Sequence, residues 1–506
     1  MAAYTTAQNA NEGPVNVPPQ TVQPSAQSPV TLSLRDVYVK FINWLPGLDK
    51  PREKLLFKTK LIWTAAMLLS FYVMSEIRVW GSGDPAGNLA LAETVLGSQI
   101  GTLMTLGIGP IVTASIILQL ISGSGMIRID TSTHQGRAVY QGTQKVLAIG
   151  FAFFEAIAFV MFGAVPPASA GLGLAAAVMF QIALGGLIVI LMDEVVSKWG
   201  IGSGISLFIA AGVGREIFIR AFNFVGQGGV IRPVGNIPVA VSSFMSGAPG
   251  NAFIALVPIA ITIVVFFIVV YAQAMKVEIP MTINALFGKR VAPGWRGLSH
   301  RYPLKLLYTS NIPVILMSAL LANFQLWATL LQSRGSPILG TVGASGIAET
   351  GLISWISPPT QVPFSEIMIA ALDPSVSVNP DAWRWITYAI FLTAGSIIFA
   401  FFWVNTAGLD SKTMAQKMHN AGFGVPGFRS DVRVVERVLD RYIPALTILS
   451  GAFIGLLASF ADFAGVLGSG TGILLAVMII YNLYEQIAQQ HVEEMHPIMR
   501  KFMGGT

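Results

Sequence analysis

Leu103 to Leu120 reads LMTLGIGPIVTASIILQL. The run is long enough to cross most of a bilayer, yet Gly107, Gly109 and Pro110 fall in its first half. Proline removes a backbone donor and clashes with the preceding turn, and glycine weakens a helix. In lipid such a break is tolerated only where protein or a water-filled cavity covers the freed backbone groups. An ordinary kinked membrane helix would also carry this pattern. The approach favours something else. Gly81 to Gly101, GSGDPAGNLALAETVLGSQIG, is too polar to span and too apolar for a plain loop. A short helix over Leu89 to Leu96 on glycine hinges, feeding a glycine-broken helix, suits a re-entrant element inside a channel.

The rest of the chain supports a membrane setting. Of its 506 residues 53% are hydrophobic and 11% charged, and the mean hydropathy is +0.66. Soluble domains carry roughly 25% charged residues. There is no cysteine, so disulfides and thiolate metal sites are excluded. The five histidines are scattered and form no HExxH pair, and no metal or cofactor site is expected. The net charge of +6 matters through its distribution.

Residues 1–30 are rich in Pro, Gln, Asn, Ser and Thr, and are expected to be disordered. They lack the basic start and apolar core of a cleaved signal peptide. Over 31–48, Leu34, Val37, Tyr38, Phe41 and Leu45 share one helical face, which predicts an amphipathic interfacial helix. Ten apolar spans follow, near Leu61–Trp80, Thr102–Ile121, Lys145–Val165, Leu172–Val196, Ile205–Phe224, Phe253–Gln273, Leu306–Leu331, Trp383–Asn405, Tyr442–Phe463 and Thr471–Gln489. They fall into a first set of five (55–225), a connecting loop (226–251) expected to be exterior, and a second set of five (252–490). Residues 491–506 form a cytoplasmic tail.

About 25 of the 31 Lys and Arg lie on the side shared by the N-terminus, the even-numbered loops and the C-terminus. The positive-inside rule therefore places both termini in the cytoplasm. Spans one and six enter from opposite sides, as inverted five-helix repeats would. Two loops on the basic side stand out. Lys276–Lys305 contains GKRVAPGWRGLSHRYPLK, and Ala407–Arg441 contains GFGVPGFRSDVRVVERVLDR. Topology needs only a few charges near the helix ends. Arg296 and Arg429 instead sit at loop centres beside Gly, Pro and an aromatic, placed for phosphate contact with a large anionic partner such as RNA.

From about Leu32 to Gln490 the chain resembles SecY, the large subunit of the Sec protein-conducting channel, in its archaeal and eukaryotic branch. The matching stretches are IGTLMTLGIGPIVTASIILQL, YQGTQKVLAI, LMDEVVSKWGIGSGISLFIAAG, RYPLKLLYTSNIPVILMSALLANFQLW, GVPGFR and GSGTGILLAVMIIYNLYEQ. Their number and order make the match specific. The N-terminal tail and the exterior loop near Gln332 to Asp381 fall outside it.

The resemblance implies an all-α membrane protein. Ten helices form two pseudo-symmetric inverted halves around an hourglass pore, with a re-entrant plug helix near 84–100 carrying Leu89, Leu91, Val95 and Leu96. By motif position the pore ring would be Ile108, Val112, Ile205, Ile209, Ile315 and Leu475. The residues suit this role: each pair spaced by four shares a helix face, and all six are aliphatic, as a constriction that gates by dewetting requires. The halves would part between spans two and three on one side and seven and eight on the other. Thr105, Gln144 and Asn323 supply the polar groups at that lateral gate. Arg296 and Arg429 would meet the ribosome at its rRNA. The expected partners are a SecE-type (gamma) subunit, a small beta-type subunit, the ribosome, nascent polypeptides with signal sequences, and lipid. The expected function is passive conduction of secretory chains and lateral release of apolar segments, at the plasma membrane and without enzymatic activity. The alternative is a secondary transporter with inverted repeats. Its candidate is Glu155 in FAFFEAIAF, since an intramembrane carboxylate is a functional hypothesis by default.

Overall fold

The computed structural model describes residues 47–49, 51–53, 55–83, 99–123, 126, 133–169, 171–224, 233–283, 285–286, 289–290, 299–333, 335–343, 348–358, 383–421, 423–425 and 431–495. Outside them lie the N-terminal tail, all but the last two residues of the interfacial helix, the four plug positions, Arg296 and Arg429.

The helices are α1 (Phe57–Glu76), α2 (Gly109–Gly123), α3 (His134–Met161), α4 (Leu172–Trp199), α5 (Gly204–Phe222), α6 (Asn236–Met245), α7 (Pro249–Ala274), α8 (Ile312–Ser333), α9 (Gly351–Ile356), α10 (Arg384–Thr406), α11 (Ser411–Asn420), α12 (Val432–Ala464) and α13 (Gly470–Met495). Between α7 and α8 run β1 (Lys276–Ile283), β2 (Ala285–Leu286), β3 (Lys289–Arg290) and β4 (Ser299–Lys305), and β5 (Phe423–Gly424) follows α11. Ten of these helices, α1–α5, α7, α8, α10, α12 and α13, coincide with the ten expected spans. Seven are long and apolar enough to cross a membrane by length and composition alone. The other three are explicable. Helix α1 carries Lys58, Lys60 and Glu76, α5 carries Arg215, Glu216 and Arg220, and α2 has only 15 residues.

Helix α2 is short because its predicted first turns are not helical. Residues 102–109 form successive tight turns, with Thr105 N–H donating to Thr102 O, Gly107 N–H to Met104 O and Gly109 N–H to Leu106 O, all at 2.9–3.0 Å. Gly107 takes a φ of 51° there. The segment is buried, and Leu103 N–H donates to Ile77 O at 2.9 Å, so its freed backbone is held by protein. Helix α4 comes close enough to touch it. A Cβ on Gly185 would collide with the Leu103 carbonyl oxygen, so only glycine can fill that position.

Helices α10 and α12 pack through a small-residue seam. Gly451 and Gly455 form a GxxxG pair. A Cβ added to Gly451 would meet Ile397 Cα at 2.9 Å, and one added to Gly455 would meet Thr393 Cα at 2.6 Å. Without a hydrophobic drive between helices in lipid, close backbone approach supplies the attraction. Trp385 Nε1 donates to Ser459 O at 2.9 Å and the Tyr388 hydroxyl to Asp462 Oδ2 at 2.7 Å across the same interface.

The two basic loops fold together. Strands β4 and β1 pair antiparallel from Lys276↔Lys305 to Thr282↔Ser299, and β5 adds to the end of β1 at Thr282↔Gly424 and Ile283↔Phe423. Pro280 is tolerated because β1 is an edge at that point. Alternation sends Ile279 and Met281 inward, onto Met418 of α11 and onto Val435, Leu439 and Ile443 of α12. Helix α12 accordingly begins at Val432, ten residues before its apolar span, with the Asp431 carboxylate accepting from Arg433 N–H at 3.0 Å. The sheet lies outside the spans and leaves the membrane-embedded part all-helical. The loop between α5 and α7 also carries a helix, α6, packed on α7.

Candidate functional site: an apolar core and a polar seam

Four elements carry the expected ring. Ile108 ends the turns before α2, and Val112 lies in that helix's first turn. Ile205 and Ile209 lie in the opening turns of α5, Ile315 in those of α8, and Leu475 in those of α13. Ile108, Ile209 and Leu475 are fully buried, Val112 and Ile315 nearly so, and Ile205 is partly buried against them. All six belong to one continuous apolar cluster. Helix α5 packs on α13, and α8 packs on both α2 and α13.

On the sheet-bearing side, α5, α13 and the turn before α8 open into a polar cavity of about 340 Å³ lined by Ser206, Asn311 and Asn482 among others, with Leu207 and Ile479 as apolar members. Lys305 of β4 and Glu485 of α13 form an ion pair at this cavity. Ser310 lines it with a φ of 56°, in the left-handed region that costs a non-glycine residue of order 1–3 kcal/mol. Asn482 Nδ2 donates to Ser310 Oγ at 3.1 Å, which helps to hold the turn. Four residues before α8, the Tyr308 hydroxyl donates to Leu409 O at 2.7 Å.

The three expected gate residues meet different fates. Thr105 is buried in the turn before α2. It accepts from Gly101 N–H at 3.1 Å and donates to Thr102 O, so its hydroxyl is used locally. Gln144 Nε2 of α3 donates to Ser115 Oγ of α2 at 2.6 Å, a bond within the N-terminal half. Asn323 of α8 reaches across. Its Nδ2 donates to its own helix at Ala319 O (3.0 Å) and also approaches Thr113 Oγ1 of α2 at 3.4 Å. Thr113 Oγ1 in turn donates to Glu155 Oε1 of α3 at 3.0 Å. Amide, hydroxyl and carboxylate thus form one chain through α8, α2 and α3, each member partly buried. One turn along α8, Trp327 packs against Phe154 and Phe162, with ring centroids 5.9 and 6.3 Å away.

Sequence reasoning passes over Thr113, since a lone threonine in an apolar helix most often bonds its own backbone. Glu155 is visible as an intramembrane carboxylate, but nothing in the sequence pairs it with α2.

An apolar core at the junction of two five-helix halves, a polar cavity on one side of it and a polar chain across the junction define a multi-pass membrane protein of channel type. The family model for SecY matches residues 102–484. The protein translocase subunit SecY of Methanothermobacter thermautotrophicus is 41% identical over 93% of this chain and 99% of its own length. The chain belongs to the SecY family. Among solved structures it is similar to a protein-conducting channel (TM-score 0.77, 41% identity, 92% of this chain and 99% of that one). It is also similar to Sec61 in the canine ribosome–channel complex of the endoplasmic reticulum (TM-score 0.74, 41% identity, 92% and 99%).

Proposed function

We propose that this chain is the central pore subunit of a protein translocase, moving polypeptides across the membrane and releasing apolar segments sideways into lipid. The observation that carries the reading is the Asn323–Thr113–Glu155 chain beside the buried apolar cluster. A dry aliphatic constriction of Ile108, Val112, Ile205, Ile209, Ile315 and Leu475 would exclude water and ions at rest and yield to a passing chain, because it has no fixed polar contacts to break. The polar cavity receives the chain before the constriction. The seam between α2–α3 and α8–α10 is the lateral exit. Its bonds are individually weak, about 0.6 kcal/mol on average for interhelical hydrogen bonds in membranes, so an apolar segment can displace them.

In this reading the plug, with Leu89, Leu91, Val95 and Leu96, seals the far side. Both termini face the cytoplasm at the plasma membrane. The chain performs no chemistry itself. A ribosome or a separate motor supplies the force, and SecE-type and beta-type subunits complete the complex. Arg296 and Arg429, in the two loops that contribute strands to the sheet, would meet rRNA, and the similarity to Sec61 of a ribosome–channel complex supports this pairing. The transporter alternative rests on Glu155. Its bond to Thr113 at 3.0 Å gives that carboxylate a place in the seam instead.

Because the chain has no cysteine, one engineered pair tests the exit. Phe154→Cys and Trp327→Cys joined by a short bis-maleimide should abolish translocation and insertion in reconstituted vesicles, while the uncrosslinked pair remains active. Undiminished activity with the seam tied shut would overturn the lateral exit.

A further inference from the structure

Between α8 and α10, on the side opposite the sheet, the described residues 348–358 are bonded to both helices. Gln325 Nε2 of α8 donates to Ser357 Oγ at 3.1 Å, where both groups are buried. At the start of α10, Arg384 Nε donates to Ser354 O at 2.9 Å and Nη2 to Ala348 O at 2.6 Å. Thr387 Oγ1 donates to Trp355 O at 2.8 Å. Helix α9 is therefore clamped to both helices on the C-terminal side of the seam.

Its two faces differ. Ile353 and Ile356 are buried against the bundle, whereas Leu352 and Trp355, three residues apart, are 59% and 52% exposed. The helix, GLISWI, contains no charged residue. Trp355 meets Trp383 edge to face with centroids 4.9 Å apart. Trp383 begins a second exposed stripe, since Ile386 and Ile390 follow at spacings of three and four and are also exposed. That stripe is the outward face of α10, a helix whose length and hydropathy make it a span. Leu352 and Trp355 thus continue a lipid-facing surface beyond the point where the span begins. Tryptophan is enriched at that level of a bilayer, where an apolar ring meets a hydrated boundary.

We infer that α9 lies in the headgroup–acyl boundary of the leaflet opposite the sheet, with Leu352 and Trp355 in contact with lipid, and that it fastens the α8–α10 pair to that leaflet. The occupant of the exposed face is lipid because the face continues the surface of a span and carries no charge for a polar partner. The anchored pair then holds its depth while α2 and α3 move against it.

The cysteine-free background makes the test direct. Leu352→Cys carries a single nitroxide label on the full-length protein in phosphatidylcholine/phosphatidylglycerol vesicles. Power saturation then compares its accessibility to oxygen, which concentrates in the bilayer, with that to a water-soluble nickel chelate. The oxygen-to-nickel ratio should be several-fold above that of a label at exposed Ser336→Cys, and should approach that at Ile390→Cys. A ratio equal to the Ser336 label would place the helix in water and overturn the inference. So would a label closed to both reagents, which would show a protein partner on this face. The readout needs no translocation, so it stands apart from the channel reading.

Discussion

Thr113 of α2 donates its hydroxyl to Glu155 of α3 at 3.0 Å, and the same oxygen faces the Asn323 amide of α8 at 3.4 Å. One hydroxyl therefore links both sides of the seam. Thr113→Val keeps the shape and removes the link. Loss of a cross-seam bond favours opening, so a less hydrophobic segment should enter the membrane. The expected shift is equivalent to about 0.6 kcal/mol and below ~2 kcal/mol. An insertion assay with segments of graded leucine content measures it. An unchanged half-insertion point would remove Thr113 from the gate.

Asn323→Leu should also move that threshold, with a smaller contribution from lost bonding, because Asn323 already bonds Ala319 O at 3.0 Å. The added apolar contact opposes the loss. A double-mutant cycle with Thr113→Val separates the two effects, and a coupling energy of zero would show that the 3.4 Å approach carries no energy.

Ile108 and Ile209 are fully buried in the central cluster. Replacing both with Ser should let water wet the constriction and make the resting channel leak ions. Planar-bilayer recording or vesicle ion flux reports this. Conductance equal to the parent's would take these residues out of the constriction.

Gly455→Val should weaken α10–α12 packing. Its Cβ would lie 2.6 Å from Thr393 Cα, so the helices must separate. Overpacking of this kind costs typically about 1–3 kcal/mol. A lower unfolding temperature in detergent is expected, with Gly455→Ala less affected. Parent-like stability of both variants would mean the interface relaxes freely.

Arg296→Glu and Arg429→Glu should each weaken ribosome binding and flatten its salt dependence, because charge reversal replaces phosphate attraction with repulsion. Their flanking strands, β4 and β5, both pair with β1, so the two substitutions act on one subdomain and should couple. Cosedimentation over a salt series tests this. Unchanged binding in both would leave the arginines with a purely topological role.

Much of this architecture can be read from apolar periodicity. All ten spans correspond to helices because a bilayer-length apolar run admits few other structures. Their ends are harder to place. Helix α3 begins at His134, well before Lys145, because Thr133 Oγ1 accepts from Gly136 N–H at 3.0 Å and starts the helix in a polar stretch that hydropathy ignores. Helix α12 is extended in the same way by Asp431. The sheet escapes a reading of the sequence because β5 is two residues long and pairs with a strand from a different loop. At the seam, Asn323 stands out as an amide among apolar residues. Thr113 does not, since only the approach of α3 and α8 turns an ordinary threonine into a junction.

The pairing of Thr282 with Gly424 has a bearing on how the protein itself is made. The two residues are roughly 140 positions apart, and non-local pairings form late. Strand β5 does not exist until eight of the ten spans have been synthesised, and the packing of β1 onto α12 must wait longer still. Until α12 has been made, the nascent chain therefore lacks the assembled sheet and its packing partner. On the proposed ribosome contact, a half-made copy would lack the folded surface for it, and only a chain that has reached its ninth span would acquire that surface.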